Sequence, residues 1–198
     1  MSELDAILRT IREVETSLER RSARAEGALL MIWGLVGAVI FAFYQLVVWN
    51  HDPYHAALGP WLNWMWVLPM AVGYVASGLV GARLGRMGAD AERRRRVRAG
   101  LVPAAVIAVL AAALVLTGSY DFIYGGVTLV AGLSSAFFAW RAPPGAVRAV
   151  GLAVGGALAA LGVLLLATAG ATWAPGAASL GFLVGYLLLG TVRYRLGR

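Results

Sequence analysis

The chain has 198 residues, 60% of them hydrophobic and only 14% charged, with a net charge of +7 and a mean hydropathy of +0.75. Soluble domains of this size carry about 25% charged residues, so that class is excluded. The absence of cysteine removes disulfides, thiolate nucleophiles and thiolate metal sites together.

The first 27 residues are polar and nearly balanced, with six acidic and five basic side chains. Leu4, Ile7, Ile11, Val14 and Leu18 recur at alternating spacings of three and four, the seam of a short coiled coil, with Arg and Glu on the other faces. Ser2 and Asp5 suit a helix start, and the helix is expected to run on toward the first apolar run. The charge balance argues against a lipid-bound basic helix. Residues 1–27 therefore read as a cytosolic amphipathic helix that packs on something else, because two heptads alone are marginal in water. A second copy of the chain or a partner protein, held through residues 1–25, is the expected occupant.

Residues 28–198 read as a six-helix transmembrane bundle. Apolar runs fall at about 29–49, 62–84, 101–117, 122–139, 150–169 and 175–192, each near the roughly 20 residues that a bilayer core requires. In lipid the backbone must pair its own N–H and C=O groups, so runs rich in Ala, Leu and Gly without strict alternation are helices, not barrel strands. The expected fold is all-α, a polytopic membrane protein with its six helices arranged as three hairpins.

All 17 basic residues are arginine, and their placement alternates. Five precede the first run, seven lie at the end of the second run or between it and the third, two between the fourth and fifth, and three after the sixth. None lies in the three other loops. The positive-inside rule then places both termini in the cytoplasm, in a multi-pass protein of the cell membrane whose first run is an uncleaved anchor.

An offset of 112 positions superposes residues 61–86 on 173–198 with 11 identities in 26 positions, among them Val72, Gly73 and Tyr74 on Val184, Gly185 and Tyr186. This predicts an internal repeat of same-way hairpins. Gly73, Ser77, Gly81 and Gly85 put small side chains on one face of the second run, as do Gly151 with Gly155 on the fifth and Gly181 with Gly185 on the sixth. Such faces let another backbone come close.

No Asp, Glu or Arg lies well inside a run, which disfavours ion-coupled transport. Tyr44, Gln45, Tyr74, Ser77 and Tyr186 could line a neutral pocket, although interhelical hydrogen bonds are the commoner use of such residues. Ser134 and Ser135 have no histidine at membrane depth to serve as base, so serine hydrolysis is not expected. His51 and His55 are weak metal candidates, with Pro53 between them and no third strong ligand close by. Neither a catalytic set nor a cofactor site is expected. Arg93, Arg94, Arg95, Arg96 and Arg98 suit anionic lipid headgroups at the cytosolic face; a loop tethered to the membrane is a poorer nucleic-acid site. The expectation is a non-enzymatic accessory, anchoring or sensory subunit acting through its N-terminal helix. The alternative is a channel or facilitator for a small neutral or weakly polar solute.

Overall fold

The computed structural model describes residues 3–49, 68–80, 121–142, 144–169 and 171–196. These form five helices: α1 (Glu3–Trp49), α2 (Leu68–Val80), α3 (Asp121–Trp140), α4 (Ala146–Ala167) and α5 (Ala174–Leu196). Four of them, α1, α3, α4 and α5, are long and apolar enough to cross a membrane, which supports a helical membrane protein.

No proline interrupts Glu3–Trp49, so the polar extension and the first apolar run form one rod of 47 residues, about 70 Å at 1.5 Å per residue. Thr10 and Thr16 donate their hydroxyls to Ala6 O and Arg12 O at 3.0 and 2.8 Å, so these β-branched residues sit in the helix with their polar atoms satisfied. Between α3 and α4 the chain reverses through Gly145, whose φ of 150° and ψ of −173° belong to a region open essentially to glycine alone. Pro175 is buried in the first turn of α5, where its missing N–H costs no helical hydrogen bond.

Two long antiparallel contacts dominate the packing. In one, α1 lies on α5: a Cβ added at Gly27 would stand 2.6 Å from both Gly190 O and Tyr194 N, and Gly37 abuts the Phe182 ring. In the other, α3 lies on α4 through Gly125, Gly132, Gly155 and Gly162, each meeting backbone atoms of the facing helix. Glycine removes the side chain that would hold the two backbones apart. The expected small faces are thus used inside one bundle, Gly151 and Gly155 against α3, and Gly181 and Gly185 against α4. A third antiparallel contact joins α4 to α5 and ties the pairs together. Accordingly α1 and α4 run one way, α3 and α5 the other. Gly73 seats α2 on α1, a Cβ there lying 2.9 Å from Val36 Cγ2.

The core gathers Phe41, Tyr44, Tyr124, Leu165 and Phe182 from α1, α3, α4 and α5. Its rings form a connected series: Tyr44 meets Tyr124 at 5.8 Å, Tyr124 meets Phe41 at 5.9 Å, Phe41 meets Phe182 at 5.4 Å, and Phe182 stacks on Tyr186 at 5.5 Å. Edge-to-face and offset ring pairs of this kind add about 0.5–1.5 kcal/mol each beyond area burial. The outward faces are equally apolar, with Leu35, Val39, Leu133, Phe137, Leu164 and Val184 exposed. A surface of that extent suits lipid rather than water.

Candidate functional site

The five polar residues singled out from the sequence do not converge on one chamber. Tyr44 is buried in the ring series, and Tyr186 stacks at its other end, where its hydroxyl accepts from Ser135 Oγ at 3.4 Å. Tyr74, although it aligns with Tyr186 at the offset of 112 positions, is 63% exposed on α2 and meets the edge of Trp33 at 5.1 Å. Ser77 lies on the same helix with its buried hydroxyl unpartnered. Gln45 has a defined task. Its Oε1 accepts from Gly176 N–H at 2.7 Å, and its Nε2 donates to Thr172 O at 2.8 Å. A side chain of α1 thereby satisfies one of the open N–H groups in the first turn of α5, work usually done by a local capping residue.

At the other end of the same contact Arg193 of α5 forms an ion pair with Glu26 of α1, and Ser22 Oγ donates to Glu26 Oε1 at 3.5 Å. Neither charge was singled out from the sequence, though both stand at the margins of apolar runs, where opposite charges on two helices can meet. Between the Gln45 clamp and this pair, Ser179 donates to Ala38 O at 2.8 Å. The α1–α5 contact is thus fastened near both ends and in its middle.

Beyond Glu26, toward the N-terminus, the environment changes. Every side chain from Asp5 to Arg21 is exposed, and Ile7, Ile11 and Val14 are each about half exposed at 53%, 49% and 51%. Leu8 and Leu18 widen the same apolar stripe. Leu4 belongs to the same helix. A recess of about 290 Å³ is lined by Glu13, Thr16, Ser17, Arg20, Arg21 and Arg24. All six belong to one stretch of α1, most of them exposed, so it is a groove between neighbouring side chains and not a chamber.

At the α3–α4 turn, Arg141 lies over the Phe137 ring at 4.4 Å and Arg148 over Trp140 at 5.7 Å. Cations resting on aromatic faces belong naturally at headgroup depth. His51, His55 and the arginines at 93–96 and 98 lie outside the described residues. Among the described residues no group of three His, Cys, Asp or Glu is placed to hold a metal ion.

What this arrangement offers chemically is contact, since Ile7, Ile11, Val14 and Leu18 form an exposed apolar stripe on a stretch of α1 that is otherwise polar and charged. No family model, no curated protein and no solved structure matches the chain.

Proposed function

We propose that the chain is a non-enzymatic integral membrane module, an accessory, anchoring or sensory subunit whose N-terminal helix engages a partner in the cytosol. Six spans arranged as three same-way hairpins, with both termini cytoplasmic, are part of this reading. The alternating directions of α1, α5, α4 and α3 support it, because they are those that the arginine alternation requires. The observation that carries the function is the exposed stripe Ile7, Ile11, Val14 and Leu18 on a helix continuous with a membrane-anchored one. Isolated amphipathic helices of two heptads gain little stability alone, so an apolar stripe held out from the bundle is explained by what covers it.

A channel or facilitator for a small neutral solute is the competing reading. Among the described residues, the contact among α1, α3 and α5 is occupied by the packed rings of Tyr44, Tyr124, Phe41 and Phe182, which favours the subunit reading. Deleting residues 2–22 from the full chain and measuring assembly size and co-purifying proteins in mild detergent tests it. The expected result is a smaller assembly or a lost partner, with the membrane bundle intact. An unchanged assembly with nothing lost overturns it.

A further inference from the structure

We infer that the occupant of the α1 stripe is a second copy of this chain, with the two α1 helices parallel and in register over residues 4–18. The inference rests on the contact function proposed above and names its partner.

The projecting part of α1 is the same unbroken helix that Gly27, the Glu26–Arg193 pair and the Gln45 clamp fasten to α5. Two copies inserted the same way in one bilayer therefore present their stripes parallel and at the same height. Register, which a free helix pair must select by its sequence, is here set by the membrane. Confinement to the bilayer also raises the effective concentration of one stripe for another, which compensates for the weakness of two heptads.

The distribution of charge also suits a second copy. With Ile11 and Leu18 at one seam position and Ile7 and Val14 at the other, the parallel arrangement sets Thr10 opposite Glu15 of the other copy, and Ser17 opposite Ser22. No like charges meet along these flanks. Arg9, Arg12, Glu13, Glu19 and Arg20 all fall on the outer side of the helix. The seam ends at the next position, Arg21, where two arginines would oppose each other, and Ala25 beyond it is already buried in its own bundle. A chemically different partner would be selected by a rim of one sign; this rim is near neutral and compatible with its own copy.

Leu35, Val39 and Leu46 are exposed in the membrane half of α1 and repeat the seven-residue phase of the stripe. A straight helix drifts about 20° per heptad against that phase, so over three heptads the uncovered side stays within about 60° of the stripe. Among the described residues, α5 meets α1 at Gly27, Gly34 and Gly37 and α2 meets it at Trp33 and Val36, leaving Leu35, Val39 and Leu46 exposed.

The cysteine-free chain permits a direct test. Single Ile11→Cys, Val14→Cys and Leu18→Cys variants of the full chain, reconstituted in liposomes and oxidised, are expected to run largely as covalent dimers. Arg9→Cys and Thr16→Cys on the outer face should stay monomeric. Disulfide geometry, with Cβ atoms about 3.8 Å apart, makes the contrast sharp. Mixing Ile7→Cys with Leu18→Cys chains should yield few mixed dimers, since only an antiparallel pair brings those positions together. Equal cross-linking at all positions, none at the stripe, or a dominant 7–18 product each overturns the inference. If the stripe fails to cross-link while deletion of residues 2–22 still releases a different protein, the contact function survives and its assignment to a second copy falls. If the deletion also changes nothing, both fall.

Discussion

The two halves of α1 share one backbone and have opposite surroundings. From Glu26 to Gln45 the helix is held by a near-backbone contact at Gly27, a buried serine bond to Ala38 and a terminal clamp on Gly176. From Asp5 to Arg21 no side chain is buried. Apolar residues occur in both halves, so hydrophobicity does not distinguish them; the small residues do. Gly27, Gly34 and Gly37 let another helix come within reach, whereas the projecting half has no glycine and offers larger side chains at heptad spacing. Small residues mark the contacts made among the described helices, whereas the branched residues at heptad spacing lie exposed.

This contrast can be broken most severely at the glycine contacts. Gly132→Val forces side-chain atoms into the backbone of Ala159 and should destabilise the bundle by about 3 kcal/mol, read as a lower melting temperature in detergent. Gly156→Ala, facing open space on the same helix pair, should leave the melting temperature unchanged or raise it slightly, because alanine is the better helix former. Gln45→Leu removes both bonds to the start of α5 and leaves Gly176 N–H unpaired, an expected loss of about 1–3 kcal/mol in the same measurement.

A smaller effect is expected at the ion pair. Glu26→Gln should lower stability by about 1 kcal/mol or less, since both partners are partly exposed, and the difference should shrink in high salt. The smallest effect sharpens the comparison from the other side: Ile11→Ser should change bundle stability by no more than about 0.5 kcal/mol. Its consequence should instead be a reduced assembly size at unchanged melting temperature, measured by light scattering in detergent.

Much of the architecture is legible in the residues. Apolar runs with glycine and without charge specify lipid-facing helices, and the absence of proline before Asp52 allows the extension to continue into the first run. Pairing is not legible to the same degree. Gly155 announces that a backbone comes close, but its spacing says nothing about whether that backbone belongs to α3 or α5. The structure gives Gly155 to α3 and Gly185 to α4. Gln45 and Tyr186 were recognisable as polar groups at depth, and both do form interhelical hydrogen bonds. Their separate tasks depend on which helix end lies opposite, a property of the assembled bundle. Tyr74 and Tyr186 make the same point: aligned in sequence, one faces outward and the other stacks on Phe182.

The unbroken course of α1 has a mechanical consequence. A shaft without a joint transmits twist, and advancing α1 by one residue turns it through about 100°. Any torque applied at Ile7 must therefore either shear Gly27 off Gly190 or carry α5 along with it, so that the exposed tip and the packed helices respond as a single gear.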